Sequence, residues 1–368
     1  MLKVTDLKIE YKNNPLGIDM IRPRMSWHIK SDQRGQKQTV YQIKIATNKK
    51  LLNNNNPDIW DLGKVLSEES VNIEYDGCKL ESGTRYFWQV RIWDQQDQPS
   101  FWSDIAWWEM GLLKSEDWQA DWIGLNPKIK KTKISPAPYL RKEFNIKKDI
   151  KRARLYICGL GLYQLYLNGN KVGERVLDPA LTDYEERVLY STYDITQGLK
   201  KGKNAFAVEL GRGRYAMTTE NVWGWHKTPW QDDPKLLFQL AVEYNDNSKE
   251  LIVSDKTWKA TPGATRFDSL YSGEVYDARK EISGWTKPGF NDSGWENAVI
   301  VNSPKGKIQS QMIEPIKILD QLQAEDIKKI GEEHYVYDFG KMISGWAEIK
   351  VRGKQGKKIK IKYGEKLK

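Results

Sequence analysis

The feature that most restricts this chain is a hydrophobic alternation with a period of two. In Arg85–Trp93 the residues Tyr86, Trp88, Val90 and Ile92 fall on one face, and in Val40–Ile45 the residues Tyr41, Ile43 and Ile45 oppose Gln42 and Lys44. A strand sends successive side chains to opposite faces, whereas a helix repeats about every 3.6 residues, so both segments read as half-buried antiparallel strands. Runs of the same kind are Ala153–Cys158, Leu162–Leu167, Asn204–Leu210, Leu236–Tyr244, Glu250–Ser254, Trp346–Val351 and Lys358–Tyr363. Leu162–Leu167 runs into Asn168-Gly169, a pair suited to a tight hairpin turn. Helical periodicity over ten or more residues is hard to find in the sequence. The expectation is an all-β protein of tandem β-sandwiches rather than βαβ units.

Punctuation divides these strands. With 368 residues, the chain is long enough for two or three domains. The Trp-rich stretch 101–111 is followed by a basic, Pro-containing run over 126–138, which reads as a loop, and a second break falls at Asn302-Ser-Pro-Lys-Gly306. The predicted units are 1–113, 114–303 and 304–368. The last holds only a handful of strands, too few to close a core of its own, so the sequence reads as stopping within a domain.

The formal charge of +10 suggests a nucleic-acid partner until its location is considered. Between Lys350 and Lys368 there are eight lysines and Arg352 against Glu365 alone, so the body of the protein is nearly neutral. Within that tail Ile359, Ile361 and Tyr363 alternate with Lys358, Lys360 and Lys362, the pattern of a strand with a solvated lysine face. No nucleic-acid partner is expected. No membrane partner is expected either, since no stretch approaches the ~18 apolar residues of a span. The amino terminus turns polar at once and has no apolar signal core, which predicts a cytoplasmic protein. Cys78 and Cys158 have no CxxC or His-rich company and are expected to be buried free thiols.

Motifs for nucleophiles, metals and phosphates are missing. Gly159-Leu-Gly161 and Gly211-Arg-Gly213 are too short to cradle a phosphate and read as strand bends, and three histidines supply little acid–base chemistry. Gly273-Glu-Val-Tyr-Asp277-Ala-Arg279 is the densest polar run, with Asp277 and Arg279 placed to share a strand face as a structural or domain-interface ion pair. The segment 221–234 is the most suggestive. It holds Trp223, Trp225 and Trp230 within eight residues and then Asp232 and Asp233. Aromatic rings stack on the C–H faces of sugars, and Asp side chains accept hydroxyl hydrogen bonds or hold Ca²⁺ through oxygen. The segment therefore reads either as a glycan-capturing loop or as a Trp-packed cover over a sandwich edge. Asp183 and the neighbouring Tyr184 are further candidate sugar contacts.

Several strings resemble glycoside hydrolase family 78, the bacterial α-L-rhamnosidases. They are Asn14–Asp19 with Arg22–Trp27, Trp122-Ile-Gly124, Thr182-Asp-Tyr184, Thr192–Thr196, Gly273–Arg279, Tyr337-Asp-Phe-Gly340 and Gly345-Trp346. The resemblance implies a fibronectin-III-like sandwich, a jelly roll related to rhamnose-binding modules, and the start of a larger β-sandwich. It also implies a helical (α/α)6 barrel carrying the catalytic acids, whose signature has no match here, so no catalytic residue is carried over and the chain is expected to be inactive alone. From rhamnose-binding relatives it implies a sugar site with Asp183 as the first acid and a Ca²⁺ ion held by Asp232 or Asp233. No cofactor is otherwise required. The expected function is that of an accessory region of an α-L-rhamnosidase acting on rhamnose-containing glycans by inversion. The alternatives are a stand-alone rhamnose-binding module and a structural scaffold.

Overall fold

A computed structural model describes residues 2–129 and 136–365 and shows an all-β protein. In the first sandwich, Arg85–Asp94 lies between Gln38–Ala46 and Ala106–Met110, with Ile43 opposite Val90 and Ile45 opposite Trp88. A three-stranded sheet of Lys3–Ile9, Arg24–Lys30 and Ile73–Glu74 faces it. The alternation buries Trp27, Trp88 and Trp108 between the sheets almost completely. Each such side chain contributes roughly 2–3 kcal/mol of transfer free energy. The Trp27 indole donates to Gln38 Oε1 at 3.0 Å, so the polar edge that burial strands is satisfied.

The second sandwich packs a seven-stranded sheet on a six-stranded one. Ile150–Leu160 and Lys235–Tyr244 pair antiparallel in the first, and Leu162–Leu167, Gly202–Gly211 and Pro138–Ile146 run side by side in the second. Phe206, Phe238 and Trp258 fill the space between them, with Phe206 and Phe238 4.7 Å apart at 63°. Asn168 and Gly169 have φ of 53° and 89°, the left-handed pair a two-residue hairpin requires, and Leu167 lies opposite Asn170.

The two sandwiches share a polar and tightly fitted seam. Leu112 N donates to the Tyr190 hydroxyl at 2.9 Å, and Ser310 N donates to Asp19 Oδ2 at 2.7 Å. Gly17 has φ of +76°, and a Cβ there would fall 2.1 Å from Thr192 Oγ1, so the approach admits only glycine.

Several expectations are corrected. Lys307–Ser310 pairs parallel with Arg187–Tyr190, so the second sandwich continues past residue 303. Asp277 and Arg279 do form a bidentate pair at 2.8 and 2.9 Å, but Asp277 caps a short 3-10 helix, Ala278–Lys280, instead of sharing a strand face. Cys158 is buried, whereas Cys78 is exposed. In the third segment Asp326–Lys329 pairs with Tyr335–Asp338, a hairpin the alternation did not single out. Neither Trp346–Val351 nor Lys358–Tyr363 is a strand, because a strand exists only through pairing and none of the described residues pairs with them. Residues 130–135 of the expected 126–138 loop lie outside the described residues.

Candidate sugar-binding site

The strand Gly202–Gly211 ends in a long connection, 212–234, that returns as Lys235–Tyr244. Loops beyond about 12–15 residues without structure of their own are uncommon and often functional. This one is ordered by its own polar groups. Asn221 Oδ1 accepts from Trp223 N at 3.1 Å and from Trp225 N at 3.3 Å, an Asx turn that launches the short 3-10 helix Trp225–Lys227. Gln231 Nε2 donates to Trp225 O at 2.9 Å and also to Met217 O. The result is a fixed platform on which Trp223 stands 71% exposed.

Two neighbours complete the surface. The Arg214 guanidinium lies 4.7 Å from the Trp225 ring and 5.7 Å from that of Tyr271, bridging the loop to the hairpin Thr265–Ser269 and Gly273–Tyr276. Thr219 and Ser269 hydroxyls are hydrogen bonded at 2.8 Å. Beside them Asp268 Oδ2 accepts from Arg212 N at 2.6 Å. Burial pushes the Asp268, Glu209 and Glu274 carboxyls above their ordinary range, and mutual repulsion adds to this for Glu209 and Glu274. An exposed indole, a guanidinium within reach of two aromatic rings and carboxyl groups are the kinds of group that recognise a hydroxyl-rich ring.

The predicted residues divide by depth. Trp223 is exposed and Trp225 half-buried. Trp230 packs 5.6 Å from Tyr184, which in turn lies 5.2 Å from Tyr215. Tyr184 is only 2% exposed, so its side chain supports the loop from the core and cannot face a sugar, a correction that follows from its packing. Burial raises its hydroxyl pKa well above the usual value. Asp183 is exposed and caps its own turn through Glu185 N at 3.0 Å. Asp232 Oδ2 accepts from the Lys235 ammonium at 2.8 Å, and its Oδ1 from Asp233 N at 2.8 Å.

That last arrangement does not fit Ca²⁺. The ion takes roughly six to eight oxygen ligands, whereas Asp232 already faces an ammonium, and among the described residues no three His, Cys, Asp or Glu side chains converge on a metal position. Arg214, Tyr271 and Asp268 were missed in the sequence. Arg214 follows Gly211-Arg-Gly213, read only as a bend, and the hairpin residues are remote in sequence from the loop they meet.

Comparison with known proteins agrees along the chain. Residues 4–114 match the Rha78A-like, N-terminal immunoglobulin domain, residues 148–320 the alpha-L-rhamnosidase N-terminal domain, and residues 328–368 the bacterial alpha-L-rhamnosidase concanavalin-like domain. An alpha-L-rhamnosidase of Formosa agariphila is 37% identical over 96% of this chain and 39% of its own length. One of Alteromonas sp. is 34% identical over 99% of this chain and 40% of its own. The alpha-L-rhamnosidase of Dictyoglumus thermophilum superposes with a TM-score of 0.85 at 44% identity, covering 92% of this chain and 38% of that one. The Streptomyces avermitilis alpha-L-rhamnosidase complexed with L-rhamnose superposes with a TM-score of 0.87 at 27% identity, covering 92% and 49%. The chain thus spans between 39% and 51% of the length of the curated relatives it matches. No described helix is long and apolar enough to cross a membrane. With three matched segments along it and relatives aligned over almost its whole length, the chain belongs to the N-terminal part of the α-L-rhamnosidases of glycoside hydrolase family 78.

Proposed function

We propose that this chain is a non-catalytic accessory region of an α-L-rhamnosidase, and that its second sandwich holds rhamnose-containing glycans on the 212–234 loop. The observation that carries the reading is Trp223, 71% exposed on a loop that hydrogen bonds otherwise fix. An exposed indole on a rigid support has little packing value, yet it offers an apolar face to the C–H side of a deoxysugar ring at small entropic cost. Trp225 and Tyr271, bridged by Arg214, extend that face with a donor. The relative complexed with L-rhamnose supports the choice of ligand.

In this reading the parent enzyme releases terminal α-L-rhamnosyl residues by inversion. One carboxylic acid protonates the leaving oxygen and a second activates water, and both lie outside this chain. The test pairs binding with turnover. The purified chain should take up L-rhamnose, lose that binding on Trp223→Ala, and leave an aryl α-L-rhamnoside intact. Hydrolysis that persists through every purification step would overturn the non-catalytic part of the proposal.

A further inference from the structure

A cleft of about 670 Å³ opens at the seam, between Arg85 and Phe87 of the first sandwich and Lys151, Arg152, Arg154, Asp194 and Glu243 of the second. Its volume falls in the range of roughly 300–1,000 Å³ typical of small-molecule sites. The cations that line it are within reach of solvent, since the Arg85 and Arg152 side chains are 29% and 31% exposed and that of Lys151 50%.

Cations outnumber carboxylates here. Three guanidiniums converge on the buried Glu109: Arg154 donates to both of its oxygens, Arg85 Nε donates at 3.0 Å, and Arg152 Nη1 lies 3.6 Å away. Asp194 lies 2.9 Å from Arg154, and Glu243 serves both Arg152, at 3.2 Å, and Lys151, at 2.6 Å. Four cations thus share three carboxylates. Lys49, 5.8 Å from the Phe87 ring, and Lys249, opposite Glu243 in the strand ladder, add two more positive charges, and neither has a carboxylate within ion-pair distance among the described residues. The hydrogen bond from Lys151, with the charges of Arg152 and Lys249 adding to it, holds the Glu243 carboxyl below its ordinary range.

Arg85 keeps donors in reserve. Its Nε is engaged by Glu109 and its guanidinium lies 3.8 Å from the centre of the Trp107 ring, which holds the group in place, while Nη1 and Nη2 have no hydrogen-bond partner among the described residues. A guanidinium in that state can still donate to the oxygens of a carboxylate or a sulfate group. A cleft with an excess of one charge between low-dielectric walls also concentrates the counter-ion.

From the surplus of cations and the unclaimed Arg85 donors we infer that this cleft is an anion site, taking the carboxylate or sulfate group of a small molecule. It does not rest on the Trp223 loop binding anything.

The test titrates the chain calorimetrically with sodium acetate, sodium methyl sulfate and the uncharged acetamide, at an ionic strength held constant with sodium chloride. The expected result is saturable binding of acetate or methyl sulfate and none of acetamide, weakened about tenfold by Arg85→Gln and by Lys151→Gln. Glu243→Gln should tighten it, because that change frees Lys151 and Arg152 from their carboxylate, and a gain of affinity does not arise from a damaged fold. Acetate ahead of methyl sulfate assigns the site to carboxylates, and the reverse order to sulfate groups. Four results would overturn the inference: neither anion binding over the chloride background, binding that Arg85→Gln and Lys151→Gln both leave unchanged, acetamide binding as well as acetate, or binding weakened by Glu243→Gln.

Discussion

Glu109 and Arg154, one from each sandwich, form a buried ion pair across the seam. Arg154 Nη2 lies 3.0 Å from Glu109 Oε2 and its Nε donates to Oε1, while Glu109 is 0% and Arg154 4% exposed. Arg85 Nε donates to the same carboxylate at 3.0 Å, and Arg152 approaches it to 3.6 Å. Breaking a buried pair from one side strands the other charge. Glu109→Ala should therefore cost about 3–5 kcal/mol, read from the urea midpoint followed by tryptophan fluorescence. A cost below about 1 kcal/mol would mean that Asp194, 2.9 Å from Arg154, suffices to hold the guanidinium.

The tryptophans of the 212–234 loop should separate by depth. Trp223→Ala removes an exposed ring and should change stability by no more than about 0.5 kcal/mol while abolishing the loop's share of sugar binding. Trp230→Ala empties the contact with Tyr184 and should cost about 2–3 kcal/mol. Thermal melts of both variants beside the parent check this, and equal losses would contradict the division.

Glu209 carries a pH signature. Its carboxyl is raised in the folded protein, so the native state binds more protons than the unfolded chain between the ordinary carboxylate range and the raised value. Its contribution to stability is therefore best at low pH and is lost as pH rises through that window. Glu209→Gln keeps an acceptor for Thr265 Oγ1, which donates at 3.3 Å, and removes the charge. It should raise the melting temperature at pH 7, with the gain shrinking toward pH 4. A gain that grows on acidification would reverse the assignment.

The two thiols should differ in reactivity. Cys78 is exposed, whereas burial raises the Cys158 thiol well above its usual pKa. An aromatic disulfide reagent should titrate one thiol in the native protein and both in denaturant. Two fast thiols in the native state would show that the second sandwich opens readily.

Much of the fold was legible because burial on one face imposes period two. The run Leu162–Leu167 alternates in the structure as in the sequence, and Asn168-Gly169 turns as its residue types require. Pairing partners were not legible, since they come from distant parts of the chain. For this reason Lys307–Ser310 joining Arg187–Tyr190 moved a boundary, and Lys358–Tyr363 carried a strand pattern without a neighbour. At the site, composition identified the aromatic loop but not depth, which is why Tyr184 resembled a sugar contact and proved to be core. Arg214 acquires its role only when the fold brings Trp225 and Tyr271 close to it.

The proposed role of Trp223 is to hold rhamnose, from a rigid and exposed position, for a catalytic region elsewhere. Its most direct test is calorimetric titration of L-rhamnose into the parent chain and into Trp223→Ala. The parent chain should give a saturable heat with a Kd on the order of 1 mM, or about 4 kcal/mol, that is lost when Trp223 is removed. A heat unchanged by the substitution, or dilution heat alone in the parent, would contradict it.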